Sequence, residues 1–316
     1  MSSVFPRADG LWAVTSYFNP SRYRRRLSNF RAFRDRLNVP LLAIELTFGS
    51  DFELEDGDAD VLVQLNGGAV LWQKERLLNL AVQALPRECR NVAWLDCDIL
   101  FDEAGWAEAA SRLLERFALV QLFKQVHYLS PRWKPTSDCA TEVEFTRQSS
   151  TFSISSGKSA ASSIGHTHET RIGTSANGFA WAARREFLQS HGLYDACIMG
   201  GGDRAMMCAA TNCFDQLAER HYMNDLQISR YTAWARPFYE AVSAEVGYLN
   251  ADIFHMWHGD VADRATRSRH EGLQRFQFDP FQDIAISQNG CWRWNTDKPV
   301  MHDYVRGYFS SRREDG

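Results

Sequence analysis

The chain has 316 residues, of which 45% are hydrophobic, 23% charged and 13% aromatic, so it can bury a full core. These values exclude a disordered or collagen-like chain, and they allow either one large domain or two small ones. The formal net charge of −4 indicates no global attraction to nucleic acid or to an anionic membrane.

The sequence contains no apolar run that approaches the ~18–20 residues needed to span a bilayer. Its N-terminus also lacks the apolar core of a signal sequence, so we expect a cytoplasmic protein with no transmembrane segment. The seven cysteines are scattered and form no C-x-x-C pair. This pattern predicts reduced thiols rather than a disulfide framework or a thiolate zinc site.

The first half alternates short apolar runs with helix-period stretches, which is typical of βαβ units and a largely parallel sheet. The predicted strands are Leu11–Phe18, Leu41–Phe48, Val61–Leu65, Val92–Asp98 and Leu119–Phe123. The predicted helices are Ser21–Leu37, Gln73–Leu85 and Gly105–Phe117. Ser21 follows Pro20 and is a candidate N-cap for the first of these helices.

Periodicity disappears from Leu129 to Asn177, where Ser, Thr, Gly and Lys accumulate. This composition predicts a long loop, either a linker or a lid, binding loop or disordered insert. A compact segment, Gly178–Leu188, follows it. The chain then continues through helix-like runs at Asp203–Glu219 and Leu226–Val246 to a tail, Phe276–Gly316, rich in Trp and Phe.

Two carboxylates, Asp96 and Asp98, end the apolar run Val92–Asp98. Because strand side chains alternate, both would point the same way if the strand continued through them, and would offer oxygen ligands to a divalent cation. Ligands bind at this carboxyl end of strands in open α/β sheets. Acidic residues after a strand are also common turn formers and helix caps, so the triplet alone leaves both interpretations open.

Further along the chain, His255 and His258 are three residues apart, a spacing at which two imidazoles can converge on one metal ion. Nitrogen ligands favour manganese or zinc over magnesium. The spacing differs from that of the zinc-protease helix motif, in which the histidines are four residues apart and Glu directly follows the first. A pair of packing or hydrogen-bonding histidines is the alternative interpretation.

Two more segments carry candidate residues. Three glycines precede Asp203, which could act as a general base toward a bound hydroxyl or simply cap the following helix. Lys74 and Arg76 could meet phosphate near a helix N-terminus. A basic helix, with arginines at 22, 24, 25, 26, 31, 34 and 36, is a solvated or partner-facing surface and only suggests nucleic-acid binding.

In this order, the four segments around Lys74, Asp98, Asp203 and His258 resemble the GT-A glycosyltransferases, within roughly Leu11 to Glu271. The closest similarity is to the family-2-like and β-1,4-galactosyltransferase-like inverting group. That group has Trp-Gly-Gly-Glu before its acid, whereas Met199 and Gly202 replace the Trp and the Glu here, and it has Met where this chain has His255.

The resemblance implies an α/β GT-A (Rossmann-like) fold with a mostly parallel central sheet flanked by helices and a long loop insertion. It implies a glycosyltransferase domain over residues 1–275 and an aromatic-rich extension over 276–316. Within the domain, residues 1–128 would form the nucleotide-sugar half, 129–177 the loop insertion and 178–275 the acceptor and metal half.

The resemblance also implies a metal-dependent transfer of a sugar from a nucleotide-diphosphate donor, a UDP-sugar above all, to an acceptor hydroxyl with inversion. Mn²⁺ or Mg²⁺ would be held by Asp98 with His258, His255 or both, and Asp203 would be the base. The implied donor-binding residues are Thr15, Ser16, Tyr17, Lys74, Asn79, Asp96, Arg267 and Arg269. The acceptor would be a glycan, a small molecule or modified DNA.

Three alternatives stay open. A retaining glycosyltransferase of the same fold needs no well-placed base. Asp96 and Asp98 also resemble the nucleophile motif of haloacid-dehalogenase-like phosphatases, although they lie far from the first strand and Leu100 stands where that motif has Thr or Val. The third alternative is a carbohydrate- or nucleic-acid-binding module without catalysis.

Overall fold

The computed structural model describes residues 10–49, 51–164, 175–243 and 245–316, and these residues form thirteen strands. In chain order the strands are β1 Leu11–Phe18, β2 Leu41–Thr47, β3 Val61–Asn66, β4 Asn91–Leu95, β5 Ile99–Phe101, β6 Leu119–Gln121, β7 Gln125–Leu129, β8 Val143–Gln148, β9 Ala180–Arg184, β10 Val246–Tyr248, β11 Asp252–His255, β12 Ile284–Ile286 and β13 Trp292–Trp294.

The same residues form eleven α-helices. They are α1 Arg24–Arg36, α2 Lys74–Ala84, α3 Trp106–Leu114, α4 Ser150–Ser155, α5 Ala160–Ile164, α6 Arg185–His191, α7 Gly202–Ala210, α8 Phe214–Arg220, α9 Asp225–Val242, α10 Ser268–Gln274 and α11 Pro299–Ser311. Within this part of the chain, no helix combines the length and the apolar character that a membrane crossing requires.

A seven-stranded sheet in the order β10-β6-β9-β4-β1-β2-β3 forms the centre of the fold. Six of its strands run parallel, and β9 alone runs antiparallel between β4 and β6. This confirms the predicted α/β class with a mostly parallel central sheet. Because β9 is reversed, its first residues lie at the edge where β4 ends, and the Asp96 amide donates to the Phe179 carbonyl oxygen at 2.8 Å.

Successive side chains of the central strands belong alternately to two separate hydrophobic cores. On β1, Val14 and Phe18 join the core covered by α2, α6, α7, α9 and α11, whereas Leu11 and Tyr17 join the core under α1 and α3. This two-sided burial explains why β2 is buried at every position and is apolar at most of them. The molecule therefore has helices on both faces of one sheet.

A second sheet, in the order β5-β11-β7-β8, extends from the edge at which β4 ends. Its strand β11 pairs antiparallel with β5, which aligns His255 with Ile99, and parallel with β7. A short hairpin of β12 and β13 forms a third sheet. The amide of Met256 donates to the Asp98 carbonyl oxygen at 2.8 Å, so β11 carries the histidine segment directly to the acidic one.

Several predicted boundaries need correction. The strand predicted over Val92–Asp98 ends at Leu95, where a turn begins. The helix expected to start at Ser21 begins at Arg24, because the Asn19 side chain accepts from the Tyr23 amide at 3.0 Å and holds a turn there. The run Asp203–Glu219 is two helices, α7 and α8, separated by a short turn in which Asn212 has φ 56°.

The segment predicted as a loop from Leu129 to Asn177 contains β8, α4 and α5. Strand β8 pairs with β7, and its alternating exposure is a period-2 pattern with polar outer positions rather than an irregular one. Ser149 caps α4 by accepting from the Phe152 amide, so serine here starts a helix. Residues 165–174 of the predicted loop lie outside the described residues.

Candidate functional site

A cleft of about 1660 Å³ opens at the edge of the central sheet where β1 and β4 end. Its lining combines the turn after β4, the start of α2, the N-terminal end of α7, the loop after β11, and helices α10 and α11. The carboxyl ends of parallel strands are where α/β sheets bind ligands. The predicted residues Ser16, Lys74, Asp96, Asp98, Asp203, His255, His258, Arg267 and Arg269 all line this cleft.

Asp98, His255 and His258 converge at one end of the cleft. One ligand atom from each lies within 4.8 Å of the others. The Asp98 Oδ2 is 3.1 Å from the His258 Nε2, and the two Nε2 atoms of His255 and His258 are 3.2 Å apart. The histidines come from the end of β11 and the turn after it, so the convergence depends on the β5–β11 pairing.

This cluster has the properties of a divalent-metal site. The buried Asp98 Oδ1 has no hydrogen-bond partner among the described residues, which leaves a ligand atom available. Burial raises the pKa of Asp98, but His258 and His255 outweigh it and hold that pKa below its usual range. Burial also puts the pKa of His255 well below its usual range, so this imidazole is neutral. Two imidazoles with one carboxylate suit manganese or zinc.

Buried charged side chains also lie next to this cluster. Glu314 is fully buried and pairs with Arg26 at 2.6 Å and with Arg312 at 2.5 Å, while its carboxylate is 3.6 Å from the His258 Nδ1. A carboxylate behind a metal-ligating imidazole fixes the orientation of the ring. On the cleft side, the Arg264 guanidinium lies 3.0 Å from the His258 Nε2.

Lys74 joins two carboxylates in the middle of the cleft. Its Nζ lies 2.5 Å from the Asp96 Oδ1 and 2.8 Å from the Asp203 Oδ2. Gly178 makes room for this arrangement, since a Cβ there would stand 2.8 Å from the Asp203 Oδ2. Asp96 and Asp98 were expected to share one direction, but the strand ends before them, so Asp96 turns to Lys74 and Asp98 to the histidines.

The pKa values in this group depend on burial and on close charges. Burial lowers the pKa of Lys74, but Asp203 and Asp96 outweigh burial and raise that pKa well above its usual range. Burial raises the pKa of Asp96 to about 6 against the opposing effect of Lys74. Glu75, the next residue of α2, is also buried, and its pKa rises to about 8. Lys74 is therefore the cation around which the acids are arranged.

Glycines let the chain pass closely through this region. Gly200 and Gly201 have φ values of 81° and 94°, a backbone conformation that other residues rarely adopt. A Cβ on Gly202 would stand 2.2 Å from the Glu75 Cδ. The three glycines therefore bring the first turn of α7, and Asp203 with it, against the start of α2.

Three predicted donor-binding residues are not in the cleft. Thr15 is fully buried and donates to the Leu95 carbonyl oxygen at 2.7 Å, and the buried Tyr17 donates to Glu53. Asn79 donates to the Leu193 carbonyl oxygen at 2.9 Å. Thr15 and Tyr17 alternate with Ser16 along β1, so Ser16 is the one of these three that faces the cleft. Asn79 lies more than a turn along α2 from Lys74.

Several cleft residues were not predicted from the sequence, among them Trp72, Arg220, Tyr308 and Arg312. Tyr308 and Arg312 come from α11 and the residue after it, in the tail that was predicted to be an extension. The abundance of Trp, Phe and Tyr there was the available signal. It indicated a packed segment without showing where the segment lies.

Half of the arginines in the basic helix α1 form ion pairs within the protein. Its ion pairs join Arg26 to Glu314, Arg31 to Asp58 and Arg34 to Asp60. The side chains that the sequence offered as a nucleic-acid surface therefore hold neighbouring loops and the last residues in place.

Comparison with known proteins gives distant structural likenesses only. No protein-family model matches the chain, and no curated protein does. Solved structures similar to it include Staphylococcus aureus TarS 1–349 in complex with UDP-GlcNAc, with TM-score 0.43 and 11% identity over 79% of this chain. Another is a 4-diphosphocytidyl-2C-methyl-D-erythritol synthase from Anaerococcus prevotii, with TM-score 0.36, 11% identity, and coverage of 77% of this chain and 88% of that one.

A mycobacterial protein is also similar, with TM-score 0.40, 12% identity, and coverage of 90% of this chain and 83% of that one. The chain spans 59% of the TarS fragment in the UDP-GlcNAc complex. Likenesses at this distance carry no argument about activity, so function has to be argued from the cleft.

Proposed function

We propose that the protein is a metal-dependent glycosyltransferase of the GT-A type that moves a sugar from a nucleotide-diphosphate donor, a UDP-sugar, to an acceptor hydroxyl with inversion. The observation that carries this proposal is the presence in one cleft of a metal-ligand set and a separate carboxylate held by a lysine. Asp98, His255 and His258 form the first, and Asp203 with Lys74 forms the second. Their order along the chain agrees with the resemblance to the glycosyltransferases.

The metal-ligand set suits a diphosphate leaving group. Mn²⁺ or Mg²⁺ bound by Asp98, His255 and His258 would neutralise the charge that builds on the departing nucleotide diphosphate. Arg264, beside His258, adds a guanidinium to the same end of the cleft. Ser16 and Asp96 line the neighbouring wall and are the candidates to contact the nucleoside. Arg267 and Arg269 also line the cleft, at the start of α10.

Asp203 supplies the base in this proposal. Its Oδ2 accepts from Lys74, which fixes the orientation of the carboxylate, and its other oxygen takes the proton of the acceptor hydroxyl. The acceptor oxygen bonds to the anomeric carbon as the bond from that carbon to the diphosphate breaks. The electron pair of that bond leaves with the nucleotide diphosphate, and attack from the opposite face gives inversion.

Isothermal titration calorimetry with UDP and GDP, with Mn²⁺ and then with a chelator, tests the donor site. We expect metal-dependent binding of UDP that Asp98→Ala and His258→Ala each weaken at least about tenfold, because each variant loses a ligand. Asp102→Ala is the matched control, since this exposed aspartate follows β5 and lies outside the cleft. Equal UDP affinity with and without metal, or in the Asp98 variant, would contradict the proposal and favour the phosphatase or binding-module alternatives.

A further inference from the structure

One side of the cleft carries four arginines contributed by three helical segments. We call them the arginine wall: Arg204 on α7, Arg220 at the end of α8, and Arg267 and Arg269 at the start of α10. All four line the cleft. Arg204 directly follows Asp203 in the first turn of α7, so the wall lies on the base side of the cleft.

Two arginines of the wall, Arg204 and Arg220, lack matching negative charge among the described residues. Neither Arg204 nor Arg220 forms an ion pair with any carboxylate in the described ranges, and the buried Nε atom of each has no hydrogen-bond partner there. Burial, and then Arg220 and Arg269, lower the pKa of Arg204 to about 10. Within the part of the chain that the structure describes, Arg269 bonds only to neutral groups: the Tyr308 hydroxyl, the Arg264 carbonyl oxygen and the His270 ring. Uncompensated burial of like charges is costly unless a ligand supplies the countercharge.

Two buried histidines pack behind the wall. The rings of His221 and His270 stack at 3.9 Å with an interplanar angle of 7°, and each residue is 4% exposed. Burial, together with the neighbouring arginines, holds the pKa of His221 well below its usual range. Its Nε2 has no partner among the described residues. A Cβ on Gly201 would stand 2.7 Å from that atom, so the ring packs closely against the glycine turn.

The wall differs in environment from Arg312 beside the metal cluster. Arg312 pairs with the Glu314 carboxylate, so its countercharge lies within the protein. The cleft volume of 1660 Å³ also exceeds the roughly 300–1,000 Å³ of a pocket for a single small ligand. A second ligand has room beside the donor, and the wall is where its negative charge would be matched.

We propose that the arginine wall binds a phosphate group of the acceptor, so that the substrate receiving the sugar is a phosphate ester whose attacking hydroxyl lies beside Asp203. Guanidinium groups pair with phosphate oxygens through two parallel hydrogen bonds, and several arginines around one phosphate give both affinity and orientation. This inference rests on the proposed function, because it takes Asp203 as the base.

The test uses inorganic phosphate as the probe. Titrations of the full chain with phosphate are run with a chelator present and at constant ionic strength, so that metal ions and bulk screening contribute nothing. We expect Arg204→Gln/Arg220→Gln to weaken phosphate binding at least about tenfold, the typical value of a charge-assisted contact. Arg306→Gln, which removes an exposed arginine paired with Asp303 outside the cleft, is the matched control and should bind phosphate as the unmodified chain does.

Two further measurements keep the test decisive. UDP binding with Mn²⁺ should change less than about twofold in the double variant; a parallel loss of UDP and phosphate binding would place the wall in the donor site and overturn the inference. Thermal unfolding should show phosphate raising the melting temperature of the unmodified chain and not that of Arg220→Gln. This single variant removes a half-buried charge at a helix end and preserves the packing of α7.

The two proposals can fail separately. Phosphate binding that is equal in the unmodified chain and in the double variant overturns the arginine wall as a phosphate site. Absence of metal-dependent UDP binding by the unmodified chain overturns the proposed function, and the acceptor assignment with it, even where the wall still binds phosphate.

Discussion

Lys74 shows how one residue can organise a cleft. It is the first residue of α2, and its Nζ reaches both Asp96 after β4 and Asp203 at the start of α7. These carboxylates are held close together only because a cation lies between them. Any variant of Lys74 therefore changes both acids together, so the two acids have to be tested at their own positions.

Asp203→Asn tests the base. The amide retains the shape of the side chain and cannot accept the acceptor proton, so we expect UDP release from the donor to slow by ~10²–10⁴-fold, the usual contribution of a general base. UDP affinity with Mn²⁺ should stay within about twofold, because Asp203 does not belong to the metal cluster. A steady-state assay measures the rate of UDP release, and calorimetry measures the affinity for UDP. A near-normal rate would assign Asp203 to capping α7 and favour a retaining mechanism.

Glu75→Gln tests the buried acid of the same group. The pKa of Glu75 is about 8 in the folded chain and near 4.5 in a solvated one, so between these values the folded state holds a proton that the unfolded state has lost. The contribution of Glu75 to the free energy of unfolding should therefore fall as pH rises through this window. Gln carries no such proton, so its stability relative to the unmodified chain should increase from about pH 5 to about pH 8. Urea unfolding at several pH values measures the free energy of unfolding of both chains. A difference between the two chains that does not change with pH would contradict the prediction.

At the scale of elements, the sequence predicted the parallel strands well because their signal is local. Leu11–Phe18 is a strand over the predicted residues, and Leu41 and Val61 begin theirs as expected. The predicted ends of strands and helices were less accurate, because these ends depend on contacts such as the Asn19 turn before α1. The pairing of β8 with β7 depends on a partner strand that sequence periodicity does not reveal.

In the candidate site, too, the sequence indicated the residue types but not the contacts between distant segments. Asp98, His255 and His258 could be proposed from their residue types, and the structure brings them together. Their proximity comes from β11 pairing with β5, a contact between segments far apart in sequence. Trp72, Tyr308 and Arg312 carry no motif, so only the path of the chain reveals them as part of the cleft.

Gly202→Ala tests the close contact between α7 and α2. The new Cβ would overlap the buried Glu75 carboxyl, so we expect the free energy of unfolding to fall by ~1–3 kcal/mol, the usual cost of overpacking. Gly307→Ala is the matched control: this glycine is exposed within α11, and a Cβ there meets nothing within 4 Å. The control should gain ~0.5–1 kcal/mol from helix propensity. Urea unfolding compares the two, and an equal gain in both would mean that Glu75 can move aside freely.

At the scale of the whole molecule, the two ends of the described chain are joined beside the metal cluster. Glu314 pairs with Arg26 of α1 and with Arg312, and its carboxylate also lies behind His258. Burial raises the pKa of Glu314, but Arg26 and Arg312 outweigh it and put that pKa well below its usual range. The charge is therefore present throughout the neutral range and contributes stability that is lost only as the solution becomes strongly acidic.

Glu314→Gln tests this connection. Removing one member of a buried ion group leaves the two arginines uncompensated, so we expect the free energy of unfolding to fall by ~3–5 kcal/mol. Asp303→Asn is the control, because its ion pair with Arg306 is exposed and such pairs contribute little. Chemical denaturation at neutral pH measures both variants. A Glu314 variant as stable as the control would show that the arginines find other partners.

The Arg26–Glu314 pair also sets an order of events during synthesis. The two residues are separated by 288 positions, which a ribosome adding ~5–20 residues per second covers in about 15–60 s. Throughout that interval α1 lacks the carboxylate that pairs with Arg26. The end of the cleft that contains Asp98, His255 and His258 therefore reaches its final geometry only after residue 314 has left the ribosome.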